Sequence, residues 1–169
     1  MTEKMDGENT TLYRDGMHAR SVDSRHHASR DWVKQLHGRI AHENPEGWRL
    51  CGENVYARHS VSYDSLESYF FVFSILTAAN EALSWSETRE WADLLGLAVV
   101  PVLYEGAWDA KWVRALQLDT AKQEGYVVRL AERIAFESFT ESLAKWARRG
   151  HVQTSQHWMS MEIVPNGLR

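Results

Sequence analysis

Two short runs of strand-forming residues, Thr10 to Tyr13 and His18 to Ser21, flank Arg14-Asp15-Gly16-Met17. An Asp-Gly step between such runs is a strong hairpin signal, because both residues tolerate the left-handed backbone of a tight turn. The feature sets up antiparallel pairing near the start of the chain. It argues for neighbouring strands joined by turns rather than for strands alternating with crossover helices.

The remaining pattern agrees with this. Trp48 to Ala57 and Ser68 to Leu76 read as strands rich in aromatic and branched residues, as do Ala98 to Tyr104, Gly125 to Leu130 and Leu143 to Arg148. Ser29 is placed to cap a helix whose apolar residues Trp32, Val33, Leu36 and Ile40 recur at helical spacing, ending before Asn44-Pro45. A second helix is expected from near Ser86, burying Trp91, Leu94 and Leu95 and stopping at Gly96, with a short third over Asp109 to Leu116. Strands outnumber helices, so the expected class is α+β with mostly antiparallel sheets. The 169 residues, 44% hydrophobic and 25% charged, suffice for one domain with a real core.

Several functional classes are disfavoured by what the sequence lacks. The single cysteine, Cys51, excludes an intramolecular disulfide framework and a thiol cluster for zinc, and a reducing, cytoplasmic setting is expected. No apolar run approaches the roughly 20 residues needed to span a bilayer, so no membrane partner is expected. There is no Gly-rich phosphate loop and no G-x-G-x-x-G fingerprint. The net charge of -4 is uneven: residues 1–60 balance nine Lys/Arg against nine Asp/Glu, residues 61–125 hold four against ten, and residues 126–169 six against four.

The chemistry-bearing segments begin just before the hairpin, at Glu3-Lys4-Met5-Asp6-Gly7-Glu8-Asn9. They continue with Gly52-Glu53-Asn54, Tyr69-Phe70-Phe71-Val72-Phe73-Ser74-Ile75, Glu124-Gly125-Tyr126-Val127-Val128-Arg129 and Lys145-Trp146-Ala147-Arg148. Each lies on or beside an expected strand, and independent short matches in fixed order multiply their improbabilities. Over residues 2 to about 158 the series resembles the nucleotidyltransferase motifs of the ATP-dependent RNA ligases, within the superfamily that includes DNA ligases and capping enzymes. The asparagine closing K-x-D-G-x-N resembles RNA ligases more than DNA ligases.

The resemblance implies a nucleotidyltransferase (ATP-grasp-like) fold, with residues 1–169 as a single adenylyltransferase domain and no separate C-terminal domain. It implies ATP and Mg²⁺ (or Mn²⁺) as cofactors and RNA with 5′-phosphate and 3′-hydroxyl ends as partner. Recognition of that RNA is left to the core alone or to a partner protein. Lys4 would be the nucleophile that takes AMP, Glu124 would hold the metal, and Lys145 would supply positive charge to the phosphates, with Arg148 a weaker match to the motif's second cation. Glu53 would accept hydrogen bonds from the ribose, Arg20 would contact phosphate, Asn9 would order the nucleotide or its phosphates, and Phe73 would stack on adenine. Glu3 and Met5, flanking the lysine, would complete the nucleotide site. The usual aspartate after that phenylalanine is here Ser74.

The need for such groups is chemical. A lysine amine attacks a phosphate only when neutral, whereas an unperturbed lysine has a pKa of about 10.4. Phosphoryl-type transfer then depends on positioning and on neutralising oxygen charge with cations.

Two other readings stand beside this one. The same covalent chemistry would serve a related enzyme that uses GTP or seals DNA. A catalytically idle nucleotide- or RNA-binding module is the third, because only Met1, Thr2 and Glu3 precede Lys4, where the family normally has a longer leading segment. That start leaves the lysine backbone expected to be loosely held. In the tail, His151 and His157 lie six apart but without further Cys or acidic ligands nearby, so a zinc site is not expected.

Overall fold

The computed structural model describes residues 1–22, 25–149 and 162–169. Its strands are β1 (Thr2–Lys4), β2 (Glu8–Leu12), β3 (Met17–Ala19), β4 (Arg49–Asn54), β5 (Phe70–Leu76), β6 (Glu81–Ala82), β7 (Ala98–Val99), β8 (Gly125–Arg129), β9 (Ile134–Ala135) and β10 (Leu143–Ala147). The helices are α1 (Asp31–Ile40), α2 (Trp85–Leu94), α3 (Ala110–Ala115) and α4 (Phe139–Ser142). The larger sheet runs β3-β2-β4-β5-β6-β9, with the short β7 added in parallel to β5, and the smaller runs β1-β8-β10. All other strand pairs are antiparallel, so the chain is α+β as its pattern implies.

The expected hairpin is present as β2 and β3, paired from Thr10–Ala19 to Leu12–Met17 and closed by a Tyr13 N–H to Gly16 carbonyl bond of 2.7 Å. The large sheet is covered by α1 and α2. Leu12, Leu50, Phe70, Val72 and Ile75 from the strands meet Val33, Leu36 and Ile40 of α1 and Ala92 of α2, with Leu95 and Leu97 just beyond it. Burying such side chains contributes roughly 1.5–3 kcal/mol each before the entropy of ordering them is subtracted.

Three local expectations are corrected. Ser29 is not the cap of α1: it lies within a single 3₁₀ turn, Ala28–Arg30, and bonds the His27 ring, while α1 starts after Arg30. Leu94 is 73% exposed, because it sits nine residues after Trp85 and therefore about half a turn round from the buried stripe of Trp85, Thr88 and Ala92. α2 does stop where glycine predicts, with Gly96 at φ +64°. The strand expected over Ala98 to Tyr104 is cut to Ala98–Val99, since Pro101 has no N–H to continue a ladder.

The stretch beyond that proline has another use. Pro101 accepts a 2.8 Å bond from the Glu3 N–H, Val102 bridges Thr2, and Leu103 and Tyr104 donate to the Met1 carbonyl. β1 is thus flanked by β8 on one side and by residues 101–104 on the other, and the expected looseness of the Lys4 backbone is replaced by a strand held on both edges.

Candidate functional site

The register of the small sheet sets the first part of the site. Lys4, Gly125 and Ala147 form one rung, and Thr2, Val127 and Lys145 the rung two residues along. Strand alternation puts these two rungs on one face, so Lys4 and Lys145 share it, while Glu3, Tyr126 and Trp146 occupy the other. Gly125 is required for the close approach of β10, because a Cβ there would run into the Trp146 carbonyl oxygen. The face bearing the lysines is turned toward the large sheet: Arg129, further along β8 on the same face, donates to the carbonyl oxygens of Phe73 (3.3 Å) and Leu83 (2.9 Å). Burial lowers the pKa of that guanidinium.

Lys4 reaches Glu124, with its Nζ donating to the Glu124 carboxylate. The lysine side chain retains 27% exposure while that of Glu124 has only 5%, so a partly exposed lysine meets a buried counter-ion. Glu53 of β4 faces the same charges. Burial raises its pKa to about 8, with Lys4 opposing the rise and Glu124 and Asp6 adding to it. The cluster is therefore carboxylate-rich, with Lys4 the cation that counters it.

Asp6 and Glu8 follow the lysine and are buried, but in different company. Asp6 Oδ2 accepts bonds from the N–H groups of Ser60 and Val61 and from the Ser60 hydroxyl, each at 2.7 Å, and the Asp6 N–H donates to the Tyr63 hydroxyl at 2.9 Å. Glu8 takes a bidentate pair from Arg30, at 2.7 and 2.5 Å. Arg148 closes the ring from the end of β10, donating to the hydroxyl (3.0 Å) and carbonyl (3.3 Å) oxygens of Ser60. Three residues back from Arg148, Lys145 remains exposed on the edge strand.

The other candidates fall into three places. Asn9 is exposed and pairs in register with Glu53 across β2 and β4; Arg20, also exposed, lies one residue past the Thr10–Ala19 pair, beside Asn9. Phe73 is the extra residue of a bulge in β5, between the Cys51–Ser74 and Gly52–Val72 pairs, and is half-buried against the Met5, Val55 and Phe71 cluster. Glu3 and Met5 turn elsewhere, lining a cavity of about 490 Å³ with Tyr63, Phe71, Pro101 and Gln123 that Lys4 does not line. There the Glu3 carboxylate accepts a 3.0 Å bond from Gln123, and burial raises its pKa.

Sequence reasoning missed several contributors. Asp6 belongs to the opening motif, so its motif position was a signal, although nothing there revealed that it anchors the 60–63 loop. His59, Ser60 and Tyr63 carry no pattern at all. His59 stands in the field of Asp6, Glu8 and Glu124, but its burial outweighs them and lowers its pKa. His151 and His157 lie outside the described residues. Among the described residues no group of three or more His, Cys, Asp or Glu is arranged to hold a metal ion, and no helix is long and apolar enough to cross a membrane.

Two mostly antiparallel sheets, with Lys4 of the smaller one paired to the buried Glu124, define an α+β protein. A family model described as RNA ligase matches residues 1–147, and the chain belongs to that family. A search among curated proteins found no match. Membership carries an RNA-ligase-type function and an RNA substrate, in a family that generally uses ATP and a divalent metal.

Proposed function

We propose that the chain is an ATP-dependent RNA ligase, or its adenylyltransferase core, working through AMP carried on Lys4. The observation that carries this reading is the partly exposed Lys4 side chain set against the buried Glu124 carboxylate, with Glu53 in the same field. The neutral amine attacks the α-phosphate of ATP, a P–N bond forms and pyrophosphate leaves. An RNA 5′-phosphate oxygen then attacks the same phosphorus, releasing Lys4, and a 3′-hydroxyl displaces AMP to close the strand. Before the first step the ammonium must lose its proton, and the carboxylate already bonded to it is the nearest acceptor.

Residues 1–169 are taken as one domain of the nucleotidyltransferase fold, which the two facing antiparallel sheets support. Lys145, two residues along the Lys4 face, supplies charge to the phosphates. Asn9 and Arg20, adjacent and exposed, suit polar contacts with the nucleotide, Glu53 suits the ribose hydroxyls, and Phe73 suits the base. Glu3 and Met5 contribute through the backbone of β1 and the segment after it rather than by side chains on the Lys4 face.

A divalent ion bound mainly by substrate phosphates and water would need only one protein carboxylate here. Mg²⁺ characteristically takes one or two protein carboxylates and completes its shell with water and substrate phosphates, and Glu124 is a buried carboxylate directly beside Lys4. Glu124 would hold the ion, which would neutralise phosphate oxygens when bound.

The idle-module reading is favoured by one observation. Ala147 occupies the position two after Lys145, on the Lys4 rung, where the family motif places its second lysine, while Arg148 turns to Ser60. A sealing assay separates the readings. With Mg²⁺ and ATP, joining of 5′-phosphorylated RNA ends is expected; joining only of DNA, or only with GTP, would move the chain to the related enzymes. No joining under any condition would favour the idle module.

A further inference from the structure

The outer face of the small sheet carries a feature that the proposed chemistry does not use. Tyr126 and Trp146 are register partners across β8 and β10, and their rings stack with centroids 5.5 Å apart and planes within 17°. Trp146 is 42% exposed although stacked. The pair forms one wall of a cavity of about 540 Å³ whose other walls come from α3 and the segment after it, including Arg114, Leu116, Gln117 and Thr120. This volume lies within the range of ligand sites, roughly 300–1,000 Å³.

The lining chemistry narrows the occupant. Arg114 is the one charged residue of the wall, in a chain whose net charge is -4. The neighbouring acid, Asp119, is turned to its own turn, accepting from the Ala121 N–H at 3.1 Å and lying 3.8 Å from Lys122. An aromatic face wide enough for a planar ring, amide and hydroxyl groups for its edge, and a guanidinium for a phosphate together match a nucleotide within a single strand. A peptide docking by acidic groups would find only Arg114, and an apolar one would leave Gln117 and Thr120 unsatisfied.

Position supplies the second argument. β10 is the edge strand of its sheet, and Lys145 precedes Trp146 on the opposite face. A sugar-phosphate backbone passing over that edge would run from the aromatic cavity to the lysine face within one residue of protein chain. We propose that this cavity is a base-stacking subsite for single-stranded RNA, holding one nucleotide of the substrate on Tyr126 and Trp146 outside the cleft in which Lys4 reacts. The proposal rests on the RNA-ligase reading but concerns a separate surface.

The test uses fluorescence anisotropy of a labelled, 5′-phosphorylated 12-residue oligoribonucleotide, with self-adenylylation measured in parallel on every protein. Trp146→Ala should weaken binding about 5- to 100-fold, the range of a lost base stack, while Trp146→Phe stays close to wild type and adenylylation is unchanged in both. Against the unaltered protein, single abasic substitutions along the oligomer should weaken binding at one or two adjacent positions. The proposal is overturned if no abasic position matters, if Trp146→Ala binds within twofold of wild type, or if an oligodeoxynucleotide of the same sequence binds more tightly. Normal RNA binding without a Lys4 adduct would instead count against the catalytic reading alone.

Discussion

Four carboxylates crowd around the first motif, and they are satisfied in opposite ways. Asp6 gathers three hydrogen bonds on one oxygen and Glu8 a two-point pair from Arg30, so both are locked into the fold. Glu124 instead faces the amine of Lys4, and Glu53 has the Gly7 N–H and a field of like charges. The first pair stabilises the native state because burial is matched by partners. The second is not locked in this way: Glu124 meets a single, partly exposed lysine and Glu53 is shifted by burial and like charges, which suits the site proposed above. Motif membership therefore does not identify function residue by residue.

This division makes predictions of graded size. Arg30→Ala strands a buried carboxylate and should cost about 3–5 kcal/mol in urea unfolding; a loss below about 1 kcal/mol would remove Glu8 from the structural pair. Asp6→Ala leaves the Ser60 and Val61 N–H groups unmatched and should cost about 2–4 kcal/mol. Its unfolding curve should keep the wild-type slope if the loss is one of stability alone.

Glu53 should behave differently. Its folded pKa, about 8, lies above the ordinary 4.5, so the folded state holds a proton that the unfolded state releases. Stability from this group is complete below about pH 4.5 and lost as pH rises through about 8. Glu53→Gln should flatten that part of a Tm-against-pH profile, and a profile as steep as wild type would place the titration elsewhere. Smallest is Ser84→Ala, which opens the capping box with Glu87 at the start of α2 and should cost about 1 kcal/mol without touching adenylylation.

The parts legible in the sequence are those decided by local chemistry. Asp15-Gly16 specifies its hairpin, the Trp32 to Ile40 periodicity its helix, and Gly96 a helix end, because each depends on neighbours within a few residues. Less legible were features decided by distant partners. Leu94 has the right polarity for a core but the wrong angle on α2, and Pro101 turns an expected strand into the flank that holds β1. The candidate site shows the same limit. Motif order pointed to Lys4, Glu53 and Glu124, which the fold brings near one another, whereas Ser60 acquires its place only because Asp6, 54 residues away in sequence, folds onto it.

The account stands on Lys4 as the acceptor of AMP. The direct measurement is to incubate the chain with α-labelled ATP and Mg²⁺, denature it, and map the label by peptide mass spectrometry, with Lys4→Ala alongside. The account predicts label on the Lys4 peptide and a loss of more than about 1,000-fold in the variant. Label that survives in Lys4→Ala, or maps to another residue, would contradict it.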